Sequence, residues 1–204
     1  NDIYEATFEY NGVLVMVDIF HKKTDGSFEI YEVKSSTEAK DIFKHDASIQ
    51  YYVLNGLGYN VRDVYITIIN TDYVRDDDLD ISQLFSHERV TNKVLTLQAD
   101  IPDTLNKFKA VLIDGVNEPN IDIGKHCKKP YPCDAINYCW RRQRGIPKYS
   151  VFNIFQMSAN PKSIQLYKEG IVAVEDIPDD IKLTNIQQNK VDVWKAQKGV
   201  INKD

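Results

Sequence analysis

Apolar and polar residues follow strand-like patterns through the first 36 residues, which predicts three β-strands. We place these strands at residues 3–10, 13–20 and 28–34. Asn11-Gly12 and Asp25-Gly26 stand between them, and such pairs are typical of tight hairpin turns. The second run, VLVMVDIF, is apolar on both faces, which favours a central position in a sheet.

A helical pattern follows the three strands. Apolar residues recur at helical spacing from about residue 37 to 57, and Gly58 stands where a C-terminal cap belongs. A fourth strand is predicted at residues 64–69. A strand, a helix and a strand of these lengths indicate a crossover connection, and hence a partly parallel sheet covered by a helix. We therefore expect an α/β fold with a mixed sheet flanked by helices.

The next part of the chain is predicted to be a loop and a broken helix. The acidic residues 75–80 are expected to form a solvated loop. Apolar residues at helical spacing then cover residues 90–111, and Pro102 is expected to break or kink this helix because proline lacks the N–H that the helix needs.

The C-terminal part is predicted to be a small helical extension. We place a domain boundary after residue 140, so that residues 141–204 form this second module. Three short helices are expected there. Their predicted boundary residues are Ser150 as the first cap, Asn160-Pro161 and Gly170 around the second helix, and Thr184, Gln187 and Gly199 around the third.

Composition and charge then narrow the class of protein. The chain has 204 residues, of which 43% are hydrophobic and 27% charged, as in ordinary globular domains. It contains no apolar run of about 18 residues and no signal-peptide pattern, so we expect a cytoplasmic protein with no membrane partner. The net charge of -5 argues against a uniformly basic surface. Because the chain begins with Asn1, we expect it to be a fragment linked to further domains upstream and downstream.

Three charged residues lie on the second and third predicted strands. Asp18 is expected on a buried strand face together with Leu14, Met16 and Phe20. Glu32 and Lys34 are two residues apart on one strand and so point to the same side. If the two strands are neighbours, these side chains converge, and close carboxylates favour a cation such as Mg²⁺ or Mn²⁺. The alternative is a surface salt bridge between Glu32 and Lys34, with Asp18 at a strand end.

The predicted helix adds a polar residue to this group. Gln50 lies on the apolar stripe of the helix, where its amide needs a hydrogen-bond partner. The ordered set G-x5-D (Gly12 to Asp18), then E-V-K at residues 32–34, then a helix with Gln50 and adjacent tyrosines, resembles the RecB-type branch of the PD-(D/E)xK nucleases. The string EVKSSTEAKD…DASIQYYVLNGLG is similar to a bacterial family of uncharacterised, RecB-like exonucleases, and the resemblance covers about residues 2–140.

The resemblance implies a restriction-endonuclease-like core and a role for each matching residue. Asp18 and Glu32 match the metal-binding carboxylates, and the main-chain carbonyl of Val33 matches a further metal ligand. Lys34 matches the catalytic lysine, and Gln50 matches a glutamine that packs near the site and the DNA. The implied activity is Mg²⁺- or Mn²⁺-dependent hydrolysis of phosphodiester bonds by a DNA exonuclease in DNA processing or repair.

The three cysteines, Cys127, Cys133 and Cys139, are evenly spaced. A disulfide would leave one thiol over, zinc would need His126 beside the thiolates, and an iron–sulfur cluster normally takes four cysteines. The resemblance favours the cluster, because iron–sulfur nucleases of the RecB-like and CRISPR-adaptation types carry one cysteine upstream of the core and three downstream. We therefore expect a 4Fe–4S cluster in the full-length protein, incomplete in this fragment. The alternative is three incidental thiols.

A basic stretch surrounds the cysteines. Residues 125–148 contain seven lysines and arginines and a single acid, Asp134, with aromatic residues between them. Cations combined with aromatic rings suit DNA that is single-stranded or has ends. The expected nucleic-acid contacts are Lys128, Lys129, Arg141, Arg142 and Arg144. The alternative for this basic stretch is a solvated loop.

Further along the chain, the segment LYKEGIVAVEDIP is similar to a helix-hairpin-helix. The alternative for this segment is a small helical packing module.

A protein of another class would also fit these features. It would be a catalytically inactive scaffold domain of a larger repair protein that binds nucleic acid or protein. The intact set of Asp18, Glu32 and Lys34 argues against this alternative.

Overall fold

The computed structural model describes residues 1–115, 117–155 and 161–196. The chain divides into two compact units between Pro119 and Asn120, which we call the N-terminal unit and the C-terminal unit. This division lies upstream of the boundary that we predicted after residue 140. The cysteine segment therefore belongs to the C-terminal unit and not to the end of the sheet-containing unit.

The N-terminal unit is an α/β fold built on one mixed sheet of five strands, in the order β1-β2-β3-β4-β5. The strands are β1 (Asp2–Tyr10), β2 (Val13–Lys22), β3 (Phe28–Val33), β4 (Val61–Ile69) and β5 (Phe85–Arg89). Neighbours are antiparallel except for β3 and β4, which are parallel. The expected mixed sheet is confirmed.

The hairpin turns lie where the sequence predicts them. Asn11 and Gly12 both have positive φ, +49° and +66°, which a tight turn between right-twisted strands requires. In the second turn the backbone N–H and the hydroxyl of Ser27 both donate to Asp25 Oδ1, at 3.0 and 2.6 Å. These turns fix the register that brings β2 beside β3.

The crossover from β3 to β4 contains helix α1 (Asp41–Gly56), which packs on one face of the sheet. Ala47 and Leu54 of α1 are fully buried with Ile30 and Val64 of the central strands. The predicted start at residue 37 was too early. The predicted crossover helix is confirmed, and it directs one side of α1 towards β2 and β3.

The expected buried face of β2 needs correction. Leu14 and Met16 are 66% and 53% exposed, whereas Val15 and Val17 point into the core. Phe20 is buried as expected. The strict alternation of inward-facing and outward-facing side chains is therefore interrupted between Val17 and Phe20. The change falls at Asp18, between the strand pairs Tyr4–Ile19 and Ala6–Val17, where Glu5 of β1 has a φ of +53°. This local irregularity leaves Asp18 half-buried at the rim of the core.

The remaining elements of the N-terminal unit are helical. They are α2 (Ile81–Leu84), α3 (Thr91–Leu97) and α4 (Ile101–Asp114). The expected break at Pro102 is confirmed, since α3 ends before it and α4 has it in the first turn. Neither α2 nor β5 was predicted. Residues 75–80 form a loop, as expected.

The elements described in the C-terminal unit are all helical. They are α5 (Val151–Ile154), α6 (Lys162–Lys168), α7 (Asn185–Ala196), a π-helix at Tyr138–Gln143 and 3₁₀ helices at Lys125–Cys127 and Val174–Asp176. Their core includes Trp140, Phe155 and Leu166. No helix in the described parts of the chain is long and apolar enough to cross a membrane.

Two of the predicted helix starts in this unit are confirmed by hydrogen bonds. Asn153 Oδ1 accepts from the N–H of Ser150 at 2.9 Å, at the start of α5. Thr184 and Gln187 exchange hydrogen bonds of 3.0 and 3.3 Å between side chain and backbone before α7. The positions predicted at Asn160 and Gly199 lie outside the described residues.

Candidate active site

The carboxylates, the lysine and the glutamine that the sequence singles out lie together in the N-terminal unit. Gln50 Nε2 on α1 donates to Glu32 Oε2 on β3 at 2.6 Å, and Lys34 Nζ contacts Glu32 Oε1 at 2.5 Å. Asp18 on β2 accepts the N–H of Val33 at 2.6 Å through Oδ2. The sheet therefore brings β2 and the end of β3 together, and α1 supplies the glutamine from above.

Glu32 is the centre of this group. It is only 5% exposed, and each of its oxygens has one of the two donors named above. Burial raises the pKa of Glu32, the hydrogen bonds from Lys34 and Gln50 oppose this rise, and the nearby charge of Asp18 adds to it. The net pKa is raised, so the folded protein holds a proton on Glu32 more readily than the unfolded chain does.

Lys34 bridges two carboxylates. In addition to Glu32 it contacts Asp46 Oδ2 at 2.7 Å, and its Nζ lies 5.5 Å from the centre of the Phe43 ring. Burial lowers the pKa of Lys34, but the hydrogen bonds to Asp46 and Glu32 outweigh burial and raise it. Lys34 is therefore a cation at neutral pH, which suits the positioning of a water molecule or an anion and not the removal of a proton.

Asp46 is the site residue that the sequence prediction missed. It lies on α1, four residues before Gln50, and thus on the same helix face. That spacing, combined with a predicted lysine at the end of β3, was the feature that could have identified it. Half of its side chain is exposed, so Asp46 lies on the solvent side of the group.

Gln50 keeps one polar atom without a protein partner. Its Oε1 is buried, and no donor for it is present among the described residues. An unpaired buried acceptor is unfavourable by about 1–3 kcal/mol. The glutamine is thus held by its amide nitrogen on Glu32 and retains an acceptor for a water molecule.

Two side chains of this group offer carboxylate oxygens, the type of ligand that hard divalent cations prefer. Asp18 and Glu32 offer carboxylate oxygens, and Asp18 Oδ1 accepts no hydrogen bond from the described residues. No group of three or more His, Cys, Asp and Glu side chains in the described ranges is placed to hold a metal ion. Mg²⁺ is commonly held by one or two carboxylates together with water and substrate phosphate oxygens, and Asp18 and Glu32 are the two carboxylates of this group that could serve as ligands.

The three cysteines lie apart from this site, in the C-terminal unit. Cys127 is buried, Cys139 is half-buried and Cys133 is exposed, and all three are free thiols. The N–H of Gly124 lies 3.5 Å from the Cys127 sulfur. The described residues do not bring the three thiols into one metal-binding group, and the iron–sulfur cluster stays a prediction.

The basic residues predicted to contact nucleic acid fall into two sets. Lys128, Lys129 and Arg142 are exposed. Arg144 is engaged within the unit, since it pairs with Asp122 at 3.0 Å and donates to the carbonyls of Cys139 and Ile121. Arg141 likewise donates to the carbonyl of Ile146. Arg144 therefore stabilises the fold around the cysteines.

No protein-family model, curated protein or solved structure matches the chain. The site is therefore described by its own residues: two neighbouring carboxylates, a lysine that stays charged, and a glutamine with a spare acceptor.

Proposed function

We propose that the N-terminal unit is a metal-dependent DNA nuclease with a restriction-endonuclease-like core. The observation that carries this proposal is the convergence of Asp18, Glu32 and Lys34 where β2 meets the end of β3. The expected order of these residues in the sequence, D…ExK, supports it. Asp18, Glu32 and the carbonyl of Val33 would hold Mg²⁺ or Mn²⁺, which when bound polarises the phosphate and lowers the pKa of a water molecule.

Lys34 and Gln50 have separate roles in this proposal. The Lys34 ammonium orients the attacking water and stabilises the negative charge that develops on the phosphate oxygens. Gln50 fixes the rotamer of Glu32 through its amide nitrogen. Asp46 orients Lys34 from the opposite side, as a positioning residue.

The substrate class is DNA with single-stranded regions or ends, and the action is exonucleolytic. The exposed cations Lys128, Lys129 and Arg142 support a nucleic-acid substrate, because cations on the surface neutralise phosphates. We place this activity in DNA processing or repair.

The proposal is tested by Mn²⁺-dependent cleavage of end-labelled single-stranded DNA. Asp18→Asn and Lys34→Ala should each lower the cleavage rate at least about 100-fold. Asp2→Asn is the matched control, because Asp2 is an exposed carboxylate on β1 whose described partner is His21 and none of the site residues. Cleavage at the wild-type rate in both site variants would show that these residues do not have the proposed roles.

A catalytically inactive scaffold is the second candidate function. The observation that favours it is the closed pairing of Glu32, whose two oxygens are already satisfied by Lys34 and Gln50. A purified protein that binds DNA but cleaves none with Mg²⁺ or Mn²⁺ would support the scaffold over the nuclease.

A further inference from the structure

The C-terminal unit contains a small cavity that we call the Trp140 pocket. Its volume is about 140 Å³, and the residues that line it include Lys128, Trp140, Arg141, Lys148 and Asn153. None of the residues that line it is an aspartate or a glutamate. The pocket therefore has three formal positive charges and no negative charge in its wall.

The three cations, Lys128, Arg141 and Lys148, form no ion pair with the described residues. Arg141 is held in place by the carbonyls of Ile146 and Lys148, and Lys128 Nζ lies 5.6 Å from the centre of the Trp140 ring. Like charges held close together repel each other, and an anion between them removes that repulsion.

A neutral donor adds to the cations. The Asn153 side-chain oxygen already accepts from Ser150, so its amide nitrogen is left to donate. The wall thus offers donors and positive charge, which suits a ligand that has several acceptor oxygens and a negative charge.

We propose that the Trp140 pocket binds a terminal phosphate monoester of a nucleic-acid strand. Its volume is below the range of about 300–1,000 Å³ that is usual for drug-sized ligands, so it suits a phosphate group and not a whole nucleotide. A monoester has nearly two negative charges at neutral pH, against one for a phosphodiester, and so complements three cations better. Phosphate binding in this pocket does not depend on catalysis. Only the assignment of the phosphate to a nucleic-acid strand rests on the proposed function.

The fluorescence of Trp140 can be used to measure binding in the pocket. The chain has two tryptophans, and Trp194→Phe leaves Trp140 as the only one. In that background, inorganic phosphate added at constant ionic strength should change Trp140 fluorescence in a saturable way, and chloride should not. Lys148 is exposed, so Lys148→Ala should keep the fold and weaken phosphate binding about tenfold. Lys182→Ala removes an exposed lysine that does not line the pocket and should leave the affinity unchanged.

A second arm identifies the source of the phosphate. Binding of short single strands with a 5′-phosphate, a 3′-phosphate or only hydroxyl ends is measured with the Lys34→Ala variant in a metal chelator, so that no cleavage occurs. Tighter binding of one phosphorylated strand, lost in Lys148→Ala, supports the proposal. Equal binding of all three strands, with inorganic phosphate still bound, overturns the nucleic-acid source and assigns the pocket to a free phosphate.

The pocket itself is overturned by a different result. If inorganic phosphate causes no saturable change, or if Lys148→Ala and Lys182→Ala behave alike, the Trp140 pocket is not an anion site. None of these measurements uses metal or cleavage. A failure here is therefore distinguishable from a failure of the proposed nuclease.

Discussion

Replacing Lys34 with Met leaves the buried carboxylate of Glu32 with Gln50 as its remaining hydrogen-bond donor. The methionine keeps the length of the apolar stem but removes the ammonium, which contacts Glu32 at 2.5 Å and lies 5.5 Å from the centre of the Phe43 ring. Asp46 also loses its partner, and because its side chain is 50% exposed, water replaces the lost contact at little cost. The main effect is therefore on Glu32.

The size of this effect follows from the burial of the pair. Removing one partner of a fully buried ion pair costs about 3–5 kcal/mol. The side chain of Lys34 is 24% exposed and Gln50 still donates to Glu32, so we expect a smaller loss, about 2–3 kcal/mol at about pH 8. Lys93→Met is the control, because Lys93 is an exposed lysine of α3 without a described partner.

The loss of stability in Lys34→Met should depend on pH. The titration of Glu32 determines whether this loss grows or shrinks as the pH rises. Burial already raises the pKa of Glu32 in the folded protein, and removal of Lys34 raises it further. The unfolded chain releases this proton near about pH 4.3, so between that value and the raised pKa the folded variant holds more protons, and its stability falls as the pH rises. The raised pKa of Lys34 gives stability that is lost only above about pH 10.4, outside this window.

The assay is urea-induced unfolding followed by far-ultraviolet circular dichroism at about pH 5 and about pH 8. The account predicts that the difference between Lys34→Met and wild type is about 1 kcal/mol at the lower pH and about 2–3 kcal/mol at the higher. An equal loss at both pH values would refute the assignment of the effect to Glu32. A variant as stable as Lys93→Met at about pH 8 would refute the pairing itself.

Three further predictions concern other contacts. Gln50→Leu should cost about 1 kcal/mol in urea unfolding, because Glu32 loses a donor while the unpaired Gln50 oxygen is removed; no loss would contradict that contact. Gly56→Ala should destabilise by about 1 kcal/mol despite better helix propensity, since the new Cβ would lie 2.3 Å from the Tyr10 ring; a gain in thermal stability would contradict it. Cys133→Ser should abolish the fastest phase of thiol modification, because Cys133 is the exposed thiol; a persisting fast phase would contradict this.

The sequence predicted the parts of the fold that local chemistry determines. Asn11-Gly12 and Asp25-Gly26 identified both hairpins, because those turns need residues that tolerate positive φ. It did not predict β5, whose sequence FSHER is short, largely polar and mostly exposed at the sheet edge. Nor did it predict that Leu14 and Met16 face outwards, because the positive φ of Glu5 is a feature of the folded pairing.

In the candidate site, too, some residues were predicted from the sequence and other contacts depend on packing in the folded protein. The spacing of Glu32 and Lys34 and the polar position of Gln50 on an apolar helix face, taken together with the family resemblance of the ordered set, predicted that these residues group together. The contact of Asp46 with Lys34 depends on how α1 crosses the sheet, which periodicity alone does not fix. The pairing of both Glu32 carboxylate oxygens with donors is likewise a consequence of packing between β3 and α1.

The central claim is that Glu32 and Asp18 form the metal site of a nuclease. The most direct test is single-turnover cleavage of end-labelled DNA with Mn²⁺ by wild type, Glu32→Gln and the control Asp2→Asn. The account predicts cleavage by wild type and control and a rate at least about 100-fold lower for Glu32→Gln, with the fold retained. Cleavage by Glu32→Gln at the rate of the control, or the absence of Mn²⁺-dependent cleavage in wild type, would contradict it.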